Sequence, residues 1–147
     1  MKARNGCPQP AAFPSGLDES SEPFFLPPLQ VIITAEEVSG FARAICAENG
    51  NGRVPLTFPI RWLALPSVHD WLLQLIGRGY LPVHEAQNFI FERELEMMAE
   101  YILRIEAKQI SAPARLTLAM SISTPEGDLC AICEAVLRLV PLDPGAG

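Results

Sequence analysis

Hydrophobic positions recur along this chain with two periods, and the change between them divides it. Val38, Phe41, Ala42 and Ile45 follow an i, i+3, i+4, i+7 stripe that predicts an amphipathic helix. Thr34-Ala35-Glu36-Glu37 in front of it has the layout of a capping box, and Asn49-Gly50-Asn51-Gly52 is expected to supply the left-handed stop. A short strand, Leu29 to Ile33, precedes that helix. Pro59 and Pro66 interrupt the next helical stretch, leaving one or two turns around Ile60 to Ala64 and a cleaner helix from Val68 to Ile76. Ser67 is its expected cap, with Asp70 at the third position. Val68, Trp71, Leu72 and Leu75 form its stripe, Gly77-Arg78-Gly79 ends it, and the scarcity of charge predicts that much of it is buried.

After Tyr80 the period shortens to two. Gln87, Phe89, Phe91 and Leu95 share one face; Tyr101, Leu103, Ile105 and Ala107 share the next, opposed by Arg104, Glu106 and Lys108. Leu116, Leu118, Met120 and Ile122 predict a third strand, Thr124 to Asp128 a turn, and Leu129 to Val140 a long fourth strand. In that fourth strand Leu129, Ala131, Cys133, Ala135, Leu137 and Leu139 are expected to face inward. Helices first and hairpin-linked strands after predict an α+β fold, an antiparallel sheet with one face wrapped around a helix.

Six of the fourteen prolines fall within residues 1–28, so this stretch reads as a flexible or surface-draped arm unable to sustain a helix or a paired strand. Phe24-Phe25-Leu26 is the exception in it, an apolar cluster suited to docking on the domain or on a partner. Residues 29–140 form the domain, and residues 141–147 read as a disordered tail.

Composition narrows the function. A chain of 147 residues, 49% hydrophobic, suits one domain rather than two. The net charge of −6 opposes binding to nucleic acid. No apolar run is long enough to span a bilayer and no secretion signal opens the chain, so a soluble, cytoplasmic protein without membrane contact is expected. Four unevenly placed cysteines make no disulfide framework. Cys130 and Cys133 form a C-x-x-C in an alternating stretch, where their side chains would point to opposite faces; the core reading is preferred to a metal or redox pair, since no second ligand pair exists. Neither a metal nor a cofactor is expected.

Three stretches carry a resemblance. They are Phe41-Ala42-Arg43-Ala44 followed by a loop and Val54-Pro55-Leu56-Thr57-Phe58-Pro59; Leu81-Pro82-Val83-His84-Glu85-Ala86-Gln87-Asn88-Phe89; and the hairpin around Gly127. Together with the order of elements they resemble the hot-dog fold and, within it, the amino-terminal-type half of the MaoC-like (R)-specific enoyl-thioester hydratases and dehydratases, over roughly residues 30–140. Active members carry an Asp and a His five residues apart in the loop before the central helix. Here that loop reads Cys46-Ala47-Glu48-Asn49-Gly50-Asn51-Gly52-Arg53, with neither. The family's Pro-x-x-Pro-Gly-Asp turn is replaced by Glu94-Leu95-Glu96-Met97-Met98-Ala99, so methionines stand where glycine ordinarily makes the turn. The resemblance therefore implies a half that lacks the chemistry, binds an acyl-CoA or acyl carrier protein thioester, and pairs as a homodimer or with a catalytic hot-dog subunit.

Candidate site residues follow from this. His84 and Gln87 are candidate substrate contacts, although a structural hydrogen-bonding role is the simpler reading for His84, and Gln87 is expected to bond to backbone or to His84. Phe58 and Trp62 are candidate substrate-lining aromatics, with a core role the plainer one for Trp62 and Trp71. Glu48 and Asp70 are the candidate catalytic carboxylates of an alternative, a homodimeric hot-dog acyl-thioesterase. His69 and Asp70 diverge by ~100° on a helix, so they are not expected to form a dyad and are placed at the surface. Met97, Met98 and Met120 read as core filling, with an acyl tunnel or subunit contact as the other use. A third reading is a small-molecule or partner-binding module with no enzymatic activity.

Overall fold

A computed structural model describes residues 22–46, 52–111 and 114–142. Expectations for residues 1–21, for the Asn49-Gly50-Asn51 stop, for Glu48 and for residues 143–147 lie outside the described residues. In chain order the elements are β1 (Phe24–Phe25), β2 (Leu29–Ile32), α1 (Ala35–Ala44), a 3₁₀ helix (Phe58–Ala64), α2 (Pro66–Ile76), β3 (Tyr80–Phe91), β4 (Glu100–Ser111), β5 (Ala114–Ser123) and β6 (Leu129–Pro141).

The strands form one antiparallel sheet in the order β1-β4-β5-β6-β3, with β2 also paired to β4. β2 runs against Glu100 to Leu103 and β1 against Glu106 and Ala107, so both cover the same side of β4. The opposite edge of the sheet is β3, which pairs only with β6 among the described residues. The expected inward row of β4 is confirmed: Tyr101, Leu103, Ile105 and Ala107 are buried. Leu116, Leu118, Met120 and Ile122 of β5 and Ala131, Cys133 and Ala135 of β6 join them in one core with Val38, Phe58, Trp62, Val68, Leu72 and Ile76 from the helical layer. Several of the sheet positions are Ala or Cys, small side chains that leave room for Phe58 and Trp62 above them.

The capping box forms as expected: the Thr34 hydroxyl accepts from the Glu37 N–H at 3.2 Å, and the Glu37 carboxylate accepts from the Thr34 N–H at 3.3 Å. α1 nevertheless stops at Ala44, ahead of the glycines, because Cys46 itself takes the left-handed conformation (φ 55°). Ile45, the last position of the stripe, is exposed as a result.

Four further expectations are corrected. Phe24–Phe25 is a paired strand although it lies in the proline-rich arm, because no proline falls within the pair itself and β4 offers a free edge. α2 begins at Pro66 with Leu65 as its cap residue, so Ser67 sits inside the first turn and caps nothing; proline suits that position because its missing N–H would have no partner there. α2 packs its expected stripe, with Val68 and Leu72 buried and Trp71 and Leu75 half-buried against the core beside Ile76. Leu73 and the rest of the helix are exposed, however, so less of it is buried than the scarcity of charge predicts. In β6, Leu129 is exposed, while Cys130 and Cys133 are both buried. The β5–β6 register shifts between Ile122 and Ser123, and that irregularity breaks the strict alternation assumed for the two cysteines.

Candidate functional site

The loop that follows α1 meets the turn between β3 and β4. Met97 Cε lies 3.2 Å from where a Cβ on Gly52 would stand, so a side chain at Gly52 would displace the methionine. Gly52 also has φ 62°, a conformation that costs other residues about 1 kcal/mol or more. Met98 adopts φ 62° too and donates its N–H to Ile33 O at 2.6 Å. The left-handed geometry expected of glycine is thus made by a methionine whose side chain is left 66% exposed, so Met98 is not core filling, whereas Met120 is fully buried. The same turn is held by Tyr101, whose hydroxyl accepts the Glu96 N–H at 2.8 Å, and burial pushes its phenol above the usual range.

Gln87 reaches inward from β3. Its Nε2 donates to Glu134 O at 3.0 Å and to Cys133 Sγ at 2.8 Å, so backbone, not His84, is its partner. Its Oε1 is buried with no hydrogen-bond partner, an arrangement that costs about 1–3 kcal/mol. Burial pushes the Cys133 thiol up to about 11, with the Gln87 amide pulling weakly the other way; Cys130 is raised by burial as well. Neither is a thiolate at neutral pH, and the three described cysteines are free. Among the described residues no group of His, Cys, Asp and Glu could hold a metal ion. The rings of Phe89 and Phe91 stack at 6.4 Å beyond Gln87.

The other candidates do not gather around Gln87. His84 is exposed and bonds locally, with Nε2 3.1 Å from Ala86 O, just where the β3–β6 register shifts between His84 and Ala86. Phe58 and Trp62 are core residues: Phe58 has no exposed surface and Trp62 only 4%. They meet edge to face at 5.6 Å, and Phe41 meets Phe58 in the same way at 5.5 Å. Arg61 covers the Phe58 ring at 5.3 Å and donates to Glu37 O, tying the 3₁₀ helix to α1. Substrate lining by Phe58 or Trp62 therefore requires this packing to open. Asp70 lies at the surface, as expected for it; its carboxylate comes within 3.7 Å of His69 Nδ1, beyond hydrogen-bonding distance, so the neighbours make a loose surface contact and not a hydrogen-bonded dyad. Both side chains are largely exposed, and such a pair contributes little at the surface.

Sequence reasoning missed Cys133 and the Glu134 carbonyl as the partners of Gln87. The signal was there in the register: Gln87 pairs with Ala135 and Phe89 with Cys133, but that register appears only once β3 and β6 are known to be neighbours. Among the described residues, the site is an apolar face with one amide and no acid–base pair.

No family model matches the chain, and no curated protein matches it. Solved structures do. A C-terminally truncated 3R-hydroxyacyl-ACP dehydratase complex from Mycobacterium tuberculosis is similar at TM-score 0.64 and 17% identity, over 80% of this chain and 96% of that one. A hot-dog-like protein from Thermanaerovibrio acidaminovorans is similar at TM-score 0.60 and 12% identity, over 82% and 83% of the two chains. An (R)-hydratase from A. caviae involved in PHA biosynthesis gives TM-score 0.53 and 22% identity, over 82% and 96%. Thioesterases are also among the matches. An antiparallel sheet curled on a helical layer, shared with these proteins over four-fifths of its length, gives this chain the hot-dog fold.

Proposed function

We propose that this protein is an acyl-thioester-binding hot-dog subunit, catalytically silent or weak on its own, that pairs with a catalytic hot-dog partner. The observation that carries the reading is the loop after α1: Cys46 to Arg53 holds no aspartate or histidine, while the surrounding fold is that of dehydratases and hydratases. A lone carboxylate cannot divide the acid and base roles between two groups. The similar mycobacterial protein is described as a complex, and that supports a paired arrangement here. The open edge of β3, with Tyr80, Leu81, Val83 and Ile90 exposed, is where we place the pairing. The thioester would be coenzyme A or acyl carrier protein linked, and the free cysteines suit the cytoplasm.

The test is hydration of a crotonyl thioester by the purified protein, together with binding of a non-hydrolysable acyl-thioester analogue. Binding with negligible turnover is the expected result. Robust turnover by the protein alone would overturn the subunit reading, and no binding would leave a module of another kind. Thioester hydrolysis by the protein alone, lost in Glu48→Ala or in Asp70→Ala, would favour the thioesterase reading in its place, and wild-type rates in both variants would exclude it.

A further inference from the structure

The sheet face turned away from the helices carries a groove of about 480 Å³. Ala119 of β5 lies in its floor, and the register sets Glu106 of β4 and Glu134 of β6 on either side of it, as direct partners of that alanine. Strands lie ~4.8 Å apart, so the two carboxylates flank a floor ~10 Å across. Asn88 Nδ2 donates to one oxygen of Glu134 at 3.2 Å. Among the described residues neither carboxylate has an ion-pair partner; Arg104 shares the groove without bonding to either, which leaves it net negative. Phe25 and Pro28 wall one side, and the Phe25 ring is 67% exposed, an aromatic surface with nothing on it.

We propose that this groove is the docking site for residues 1–21 of the same chain, with Lys2 and Arg4 at the two carboxylates and the proline-bearing stretch against Phe25. The chain ahead of Glu22 arrives at the groove wall, since β1 begins two residues later. Lys2 and Arg4 are the only cations in the first 42 residues, and they stand at the opposite end of the segment from Asp18 and Glu19, so the charge the groove lacks is concentrated in the segment's first residues. Arg4 and Ser21 are 17 residues apart, up to ~55 Å of extended chain, more than enough to cross the sheet. Pro8, Pro10 and Pro14 remove backbone donors and offer stiff apolar rings, the chemistry that docks on aromatic-lined grooves at small entropic cost. Being intramolecular, the contact works at an effective concentration of order millimolar.

The test uses the full chain with Cys46→Ser and a nitroxide label on Cys7, since Cys130 and Cys133 are buried. The amide signals of Ala119, Ser121 and Ile132 are expected to lose half their intensity or more, and to recover in Glu106→Gln/Glu134→Gln and in 0.5 M salt. Signals unaffected by the label would overturn the proposal, as would broadening that the double substitution leaves unchanged. Broadening only when labelled chain is mixed with unlabelled, isotope-enriched chain would assign the groove to a second copy and overturn it too. The groove lies on the face opposite Gln87, so thioester binding and this contact fail or succeed separately.

Discussion

Along β4 the sheet is finished by the chain itself: β2 and β1 lie end to end beside it, and Ile33, Ala99 and Met98 close the corner through Ile33 N–H to Ala99 O at 3.3 Å and Met98 N–H to Ile33 O at 2.6 Å. Along β3, twelve residues form the other edge with no strand beside them among the described residues, and four large apolar side chains on it remain exposed. Exposed strand edges invite pairing, and natural proteins ordinarily blunt them with charge or cover them. The difference teaches that one edge of the sheet is completed by the chain's own strands, while the other is unpaired among the described residues.

The largest test of that contrast falls on the closed edge. Ile33 has no exposed surface, so Ile33→Ala is expected to cost about 2–5 kcal/mol in urea unfolding. A cost below ~1 kcal/mol would mean the corner is not anchored as described. On the open edge, Leu81→Lys with Ile90→Lys is expected to weaken self- or partner association about tenfold or more, roughly 1.4 kcal/mol, by sedimentation equilibrium. Stability of the isolated fold should move by only ~0.5 kcal/mol, because both side chains are already exposed. An unchanged oligomer would place the interface elsewhere.

Smaller effects refine the picture. Thr34→Ala removes the cap that starts α1 directly after the closed edge and is expected to cost about 1 kcal/mol, with Thr34→Ser restoring most of it. The smallest effect belongs to the open edge. Arg115 bonds both oxygens of Glu85 at 2.8 Å, and that hydrogen bonding holds the Glu85 carboxyl below its usual range. A lowered carboxylate stabilises the fold above its unfolded value, and the contribution is lost as pH falls through the ordinary carboxylate range and below. The stability gap between the native protein and Glu85→Gln should therefore narrow as pH falls and as salt rises. A gap that widens toward acid would reverse the assignment.

How much of this was legible in the sequence depended on how local the cause was. The capping box needs only Thr34 and Glu37, three residues apart, and it was read correctly. The inward rows of β4 and β5 follow from strict alternation and were read residue by residue. Pairing of Phe24–Phe25 was hidden, because it depends on β4 some eighty residues later having a free side. The burial of Cys130 beside Cys133 was hidden too, since it follows from a register shift against β5 rather than from β6 alone. At the site, the sequence placed Gln87 on the packed face but could not supply Cys133 and the Glu134 carbonyl, which belong to a strand known to be its neighbour only after folding.

One irregularity in the open edge bears on the protein's behaviour in a crowded cell. The extra residue at Glu85, between His84 and Ala86, breaks β3 into two short runs, and Pro82 removes a backbone donor from the first of them. A chain that stacked onto this edge in continuous register would meet a kink after a few residues. Such a kink disfavours the endless strand-on-strand growth of an amyloid fibre, while each short run on either side of it keeps its backbone groups free to pair.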